Sequence, residues 1–384
     1  MASVIIRGPL LSQSGYGVHS RQVFKWLLSQ GHEVSCQVLP WGITPWYLNP
    51  DDLDGLVGEI MKRTGQPNQK FDYSYQVQLP DEWDTSLANK NFGITAAVET
   101  NFCNPAWVQA CNNMDGVIVP SNFTAAVLKN SGDLTTKVHV IPESFPTYFE
   151  RDVKDTKFLK TTSKRNFLLF GQLTAPTPEL DRKNTFNAIK WFCEEFEDRK
   201  DIGLVIKTNM GTNSTLDKAV TVRSLKKVLE AVRKGKFPKV TLIHGNMDDK
   251  ELFKLYCDKS LVGLISATRG EGYGLPMIEA AASGLPVIAT DWSGHKTFLQ
   301  DGCWLPVKHT MTKVPEGKAD GRIFMKGSMW ADPVESSFKS CLRNLYNKRS
   351  NFKQTCSRKR EDLMRQFSQS AVEKLYDEFF KEMG

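Results

Sequence analysis

Arg269-Gly270-Glu271-Gly272-Tyr273-Gly274-Leu275-Pro276-Met277-Ile278-Glu279 leads without a break into Ala280-Ala281-Ala282-Ser283-Gly284-Leu285-Pro286-Val287-Ile288-Ala289-Thr290. Two glutamates eight positions apart bracket a glycine-rich turn that opens into a helix. Pro276 suits the first helical turn, where a missing N–H costs nothing, and Gly284 suits its stop. Glycines let backbone amides approach a phosphate at the positive end of a helix, and glutamates accept hydrogen bonds from sugar hydroxyls. On spacing alone the segment is either such a phosphate and sugar cradle or a plain strand-to-helix connection.

Working outward, the chain reads as alternating strands and helices. Before the cradle, Asn166–Phe170, Gly203–Thr208, Lys239–His244 and Leu261–Ser266 have strand character, separated by helical patterns near Asn184–Phe196, Val222–Arg233 and Asp249–Lys259. The first half runs in the same rhythm, with strands Ser3–Arg7, Glu33–Leu39, Phe92–Val98, Gly116–Pro120 and Lys137–Ile141. Helical spacing falls at His19–Gln30, Pro105–Asn112 and Phe123–Ser131. Repeated βα alternation predicts parallel sheets covered by helices on both faces.

A length of 384 residues suits two such domains. The expected division is an N-terminal Rossmann-like domain over 1–150, a polar linker over 151–164, a C-terminal Rossmann-like domain over 165–365, and a closing helix over 366–384 that packs back on the first domain. Asp332-Pro333-Val334-Glu335 reads as a helix start with Asp332 as cap.

Hydrophobic content of 40% and charged content of 24% are those of a soluble globular protein. The apolar runs are strand-sized, so neither a membrane span nor a secretory signal is expected, and the location predicted is cytoplasmic. Eight scattered cysteines without Cys-x-x-Cys spacing point to reduced, buried thiols. The net charge of +7 is unevenly placed: residues 1–150 carry 9 Lys and Arg against 14 Asp and Glu, the remainder 41 against 29. The basic excess accompanies the cradle, where it favours a bound diphosphate.

The string Glu-Gly-Tyr-Gly-Leu-Pro, then Glu279, then Ala-Ser-Gly-Leu-Pro-Val-Ile-Ala-Thr resembles the Glu-x7-Glu signature of retaining glycosyltransferases of the two-Rossmann-domain architecture called GT-B, in particular family 4. The wording of Gln13-Ser14-Gly15-Tyr16-Gly17-Val18-His19-Ser20-Arg21 also resembles phage enzymes, which would place the chain in a host cytoplasm. The resemblance implies an α/β fold of two Rossmann-like domains facing each other across a cleft. It implies transfer of a hexose or pentose from a UDP- or GDP-sugar to an acceptor hydroxyl, with no prosthetic group and no metal. The acceptor stays open between a glycan, free or lipid-linked, and a hydroxymethylated pyrimidine in phage DNA. A sugar-phosphate synthase or phosphorylase, or a non-catalytic nucleotide-sugar binder, shares the same fold.

Residue by residue, the resemblance gives Glu271 to the transferred sugar, Glu279 to the ribose, and the backbone from Gly272 and Tyr273 to Gly274 and Leu275 to the distal phosphate. Lys183, with Arg182 beside it, matches the cation that neutralises the leaving diphosphate, while Gln172 stands where relatives carry an arginine. Arg269 is a candidate either for phosphate or for a salt bridge to Glu271, and Met247 in His244-Gly245-Asn246-Met247 is expected near the nucleobase. In the first domain Gly15, Tyr16 and Gly17 form the loop expected to reach the donor phosphate. His19, Trp41 and Trp46 are acceptor-side candidates, His19 being equally readable as a helix-surface residue. Relatives place a histidine near Glu99, and this chain does not, so Glu99 is either the acceptor-side acid-base group or a structural carboxylate. Asp52-Leu53-Asp54 reads as a solvated loop, and no metal site is expected.

Overall fold

The computed structural model describes residues 2–66, 69–299 and 303–384. They form two compact units: Met1–Ser144 with Gly321–Met325 and Gln369–Gly384, and Phe145–Asp320 with Lys326–Ser368. This division departs from the expected one in two places. The boundary falls after Ser144, and a five-residue excursion of the second half belongs to the first unit. Nor is 151–164 a free linker. Thr156 bridges Asp258, and the amides of Phe158 and Leu159 both donate to the Asp258 carboxylate at 2.7 and 2.8 Å, which docks the stretch onto the second unit.

The first unit holds a six-stranded parallel sheet, β1 Ser3–Gly8, β2 Glu33–Val38, β3 Phe71–Val77, β4 Ala88–Ile94, β5 Gly116–Val119 and β6 Val138–Val140, in the order β2-β1-β3-β4-β5-β6. Helices α1 Gly15–Ser29, α2 Leu56–Lys62, α3 Pro105–Asn112 and α4 Asn122–Lys129 cover it. One strand was not anticipated: β3 lies at the sheet centre. Its Phe71, Tyr75 and Val77 are apolar and buried, yet Ser74 and Gln76 are buried as well. They are satisfied by a network in which Ser74 donates to Asn91 and Gln76 exchanges hydrogen bonds with the backbone of Asp84, so polar residues occupy a core position at little cost.

The second unit carries another parallel sheet, β7 Arg165–Phe170, β8 Ile202–Thr208, β9 Lys239–His244, β10 Leu261–Ser266, β11 Val287–Thr290 and β12 Trp304–Val307, ordered β12-β11-β10-β7-β8-β9. A hairpin of β13 His309–Lys313 and β14 Met329–Pro333 stands beside it. Helices α5 Thr185–Glu195, α6 Thr215–Val232, α7 Asp249–Tyr256, α8 Leu275–Ala282, α9 Glu335–Asn347 and α10 Arg349–Phe367 pack on two apolar clusters, one built on Leu168 and Leu264, the other on Phe167 and Ile265. The predicted cap Asp332 lies instead inside β14, and α9 begins after Val334.

The last helix, α11 Gln369–Met383, belongs to the first unit. Its Val372, Tyr376 and Phe379 are buried, Tyr376 stacks on Trp26 at 4.9 Å, and the Trp26 indole donates to Asp377 at 2.8 Å. Among the described residues no helix is long and apolar enough to cross a membrane. All eight cysteines are free.

Each sheet reverses its strand order once. In the second unit the chain starts at β7, builds outward through β8 and β9, then returns to β10 on the other side. The helices that follow β7 and β10, α5 and α8, pack on the two different clusters, and the space outside the carboxyl ends between such diverging connections is where open α/β sheets take ligands. In the first unit the same reversal lies between β1 and β3.

Candidate active site

At the second unit's reversal point the loop after β7 meets the loop after β10. The Lys183 ammonium donates to both Glu271 carboxylate oxygens, at 2.7 and 2.9 Å, and the Arg182 guanidinium stands 3.3 Å from Glu271 Oε2 while also donating to the Gly270 carbonyl. Burial pushes the Glu271 carboxyl up, but Lys183 and Arg182 outweigh it and hold it down at about 2. Glu271 is thus a buried carboxylate, charged at any physiological pH, with two cations beside it.

Local chemistry presents these groups. Asp181 accepts from the amides of Lys183 and Thr185 at 2.9 and 2.7 Å, which turns the chain into α5 with Asn184 in the left-handed region at φ 53°. Beneath Glu271, the Ser293 hydroxyl accepts from the Glu271 amide at 2.9 Å, and Gly294 N–H donates to the Glu271 carbonyl at 2.9 Å. A Cβ on Gly294 would lie 1.9 Å from the Gly272 carbonyl oxygen, so no other residue fits there. Ser293 itself is held at φ 87°, a costly conformation for a residue with a side chain. His295 anchors this loop through a 2.7 Å contact between its Nε2 and the Thr290 carbonyl.

Gly274, at φ 109°, caps the N-terminus of α8. The helix puts Glu279 on its buried face, one end of the segment opposite Glu271. Here the surroundings are reversed. Burial pushes the Glu279 carboxyl up to about 8; the Tyr256 hydroxyl donates to it at 2.9 Å, Asp249 raises it further, and Lys207 lowers it. Lys207, at the end of β8, is buried, its ammonium pushed down to about 8 by desolvation.

Several residues expected at the donor have these contacts within the fold. Arg269 does not pair with Glu271. It is buried, donates through Nε to Asp332 at 2.8 Å, and through Nη1 to the carbonyls of Pro178 and Asp181 at 2.8 and 2.7 Å, which clips the stretch carrying Arg182 onto β14. The Tyr273 ring is buried against Phe298 at 5.0 Å, in the core. Gln172 is exposed, and its amide donates to Thr185 Oγ1. Met247 is half-buried in the turn before α7, Gly272 lies in the turn that enters α8, and Leu275 is the first residue of that helix.

In the first unit, Ser14 caps α1 and Gly15 is its first residue. Gly17 is required by the chain's own backbone, since a Cβ there would meet the Ser12 carbonyl at 2.1 Å. The Tyr16 hydroxyl is committed to Thr95 Oγ1 and the Ala96 amide, both at 3.0 Å, and its ring stacks on Trp41 at 4.0 Å. Trp41 and Trp46 are half-exposed. His19 is not a surface residue: it is buried, with Nε2 3.3 Å from the Tyr376 hydroxyl and Nδ1 3.9 Å from Glu143. Glu99 is half-buried just beyond the end of β4, two residues after Ala97, which adopts φ 48°.

Sequence reading missed Lys207, Asp181, Tyr256 and the Ser293–His295 loop. Lys207 had a visible signal, a lysine directly after the apolar run Ile202–Ile206; Ser-Gly-His after a strand was a weaker one.

Comparison with known proteins bears on the fold and on the second unit. Residues 184–321 match the family model described as Glycosyl transferases group 1. Over 59 residues the chain is 44% identical to the serotype-specific mannosyltransferase WbdA of Escherichia coli, a match covering 15% of this chain and 7% of that protein. Sucrose-phosphate synthase from Thermosynechococcus elongatus superposes with a TM-score of 0.66 at 13% identity, over 100% of this chain and 99% of that one. The pneumococcal O-GlcNAc transferase GtfA, solved with UDP and GlcNAc, gives 0.50 at 15% identity, over 81% of this chain and 56% of that one. The chain therefore has the GT-B fold, and its residues 184–321 are similar to the glycosyl transferases of group 1. It spans a small part of the curated mannosyltransferase and about half of GtfA.

Proposed function

We propose that this chain is a retaining glycosyltransferase that moves a sugar from a nucleoside diphosphate sugar, UDP- or GDP-linked, to an acceptor hydroxyl. The observation that carries the reading is the cluster of Lys183, Arg182 and Glu271 at the reversal point of the second sheet, next to the N-terminus of α8. Glu271 accepts hydrogen bonds from hydroxyls of the transferred sugar, while Lys183 and Arg182 turn to the diphosphate. As the glycosidic bond breaks, negative charge grows on the leaving phosphate and positive charge on the sugar ring. The cations and the helix terminus meet the first, the carboxylate the second. The acceptor attacks from the face the diphosphate leaves, and the leaving phosphate can take its proton. Glu279 serves the ribose and the Gly245–Met247 turn the base. UDP in the GtfA structure supports a uridine nucleotide, and the mannosyltransferase among the relatives supports a hexose as the transferred group.

For the acceptor we favour a saccharide hydroxyl. Residues 1–150 are net acidic, which repels a polyphosphate, and Trp41 backed by Tyr16 offers a flat apolar face of the kind that stacks on a sugar ring. A hydroxymethylated pyrimidine in DNA is the second reading, supported by the exposed Lys226, Lys227, Lys234 and Lys236 of the second unit. A sugar-phosphate acceptor is the third, suggested by the synthase of the same fold.

The test is mass spectrometry of products from UDP- and GDP-sugars offered with oligosaccharides, sugar phosphates and hydroxymethylated DNA. A glycosylated oligosaccharide with retained anomeric configuration is expected. An inverted product would sink the retaining assignment, and product on DNA alone would replace the saccharide reading.

A further inference from the structure

β8 ends where the nucleoside half of the donor is expected, and its penultimate residue is a buried lysine. Burying an ammonium is costly, and Lys207 does it with neutral acceptors in contact: the Gly245 carbonyl at 2.6 Å and Asn209 Oδ1 at 2.8 Å. Holding a carbonyl needs no charge, so these contacts alone do not explain a cation.

Two features around it bear on its role. The first is a chain of amides: Asn209 and Asn213 both donate to Asn246 Oδ1, at 2.8 and 3.0 Å, and Gly245 N–H donates to the Thr208 carbonyl at 3.1 Å. Lys207 is the inner anchor of this network, which ties the Gly245–Asn246 turn to β8. The second is Glu279, also buried, whose electrostatic surroundings include Lys207. Among the described residues no cation is in hydrogen-bond contact with Glu279, in contrast to Glu271; its Oε2 accepts from Tyr256.

We propose that Lys207 is the positioning residue for the nucleoside half of the donor, anchoring the turn that faces the base and standing as the cationic counterpart of Glu279 across the ribose site. The inference rests on the donor reading given above. A ribose diol donates hydrogen bonds, so it binds a carboxylate better than a protonated carboxyl. The groups acting on Glu279 are Tyr256 and Asp249 from α7 and Lys207 from β8; Asp249 opposes ionisation and Lys207 favours it. Lys207 in turn acts on His244 at the end of β9 and feels Glu279. With Glu279 pushed up to about 8, the free protein keeps a proton there at neutral pH. Binding the ribose then releases it, and the Lys207 charge is what makes the release favourable.

The experiment is calorimetry on the full chain and on Lys207→Met, Lys207→Arg and Glu279→Gln, with UDP, GDP and inorganic pyrophosphate as ligands, at pH 6.5 to 9 in two buffers of different ionisation enthalpy. For the preferred nucleotide, the wild type should bind more tightly as pH rises toward 8, releasing a proton near neutrality. Lys207→Met should weaken that nucleotide by about tenfold or more, shift the pH rise to more alkaline values, and leave pyrophosphate within about twofold. Lys207→Arg should recover much of the loss, and Glu279→Gln should remove the pH rise. Unchanged nucleotide affinity and pH profile in Lys207→Met would overturn the inference, as would an equal loss for pyrophosphate. Should Lys207→Met fail to fold, a Glu279→Gln variant that kept the wild-type pH rise would overturn it as well. A wild type that bound neither nucleotide would overturn the donor reading itself, and this inference with it.

Discussion

Glu271 and Glu279 are the same residue type, eight positions apart, and nearly equally buried, yet one is held down at about 2 and the other pushed up to about 8. The difference lies in their partners. Glu271 has two cations in direct contact, which overcome desolvation; Glu279 has a phenol in contact and a lysine acting from a distance, which do not. Burial alone decides little about a carboxylate; the charge it is offered decides its state. In the proposed mechanism the split matches two tasks, since the group beside the reacting sugar must be charged in advance, whereas the group at the ribose need charge only when its ligand arrives.

Removing the preformed charge should have the largest effect. Glu271→Gln keeps shape and leaves Lys183 and Arg182 without their counter-charge. Transfer should fall in kcat by about 10²- to 10³-fold, the scale of losing one preorganised electrostatic group. Steady-state kinetics with circular dichroism as the fold control would show it. A variant within a fewfold of wild type would mean that Glu271 holds structure, not the transition state.

Next in size is Arg269, which the comparison predicts to act through geometry. Arg269→Met leaves the carbonyls of Pro178 and Asp181 and the Asp332 carboxylate without their donor, and frees the stretch that aims Arg182 and Lys183 at Glu271. Stability should fall by about 3 kcal/mol, read by urea denaturation, since breaking one side of a largely buried charged network costs that order. Loss of transfer without loss of stability would make Arg269 a ligand of the donor instead.

How far the sequence could show this depends on the range of the forces involved. Local features were visible: Pro276 inside the turn, Gly284 past the helix, and the βα rhythm all report short-range backbone preferences. The turn that carries Glu271 into the helix of Glu279 was visible because both glutamates sit on one segment. What the sequence hides is pairing across distance. Lys183 and Glu271 are 88 positions apart and meet only because β7 and β10 are neighbours. Arg269 looks like a phosphate ligand until β14 brings Asp332 to it. β3 escaped because Ser74 and Gln76 break its apolar pattern, and their burial makes sense only with Asn91 and Asp84 in place. α10 escaped for a related reason: it is mostly polar, and its Arg360 serves as a clamp, donating to the carbonyls of Ala282, Phe149 and Arg151.

Glu279→Gln tests the other end of the comparison. The amide still accepts from Tyr256, so the fold should be unaffected, but it cannot ionise for the ribose. Donor KM should rise about tenfold with kcat little changed, the signature of lost ground-state binding. If Glu279→Gln and Glu271→Gln gave the same loss in kcat, the division of labour between the two glutamates would fail.

The smallest effect extends the comparison to the first unit, where Glu143 is a third buried carboxyl, pushed up to about 8 by desolvation, with His19 beside it pushed down to about 4 by the same cause. Both are neutral in the folded chain near pH 6. Unfolded, Glu143 gives up its proton above about 4.5, so the folded state binds the extra proton between 4.5 and 8 and stability falls as pH rises through that window. His19 works the other way, since the unfolded histidine takes a proton below about 6.5 and the folded one resists until about 4, so its contribution is lost as pH falls. Between 4.5 and 6.5 the two slopes oppose; from 6.5 to 8 Glu143 acts alone. Glu143→Gln should therefore remove a loss of at most about 1.4 kcal/mol per pH unit above 6.5, read as the difference between urea midpoints of wild type and variant at pH 6.5 and 8. Equal slopes in the two proteins would mean that Glu143 is already ionised in the fold, stabilised by partners as Glu271 is by Lys183 and Arg182.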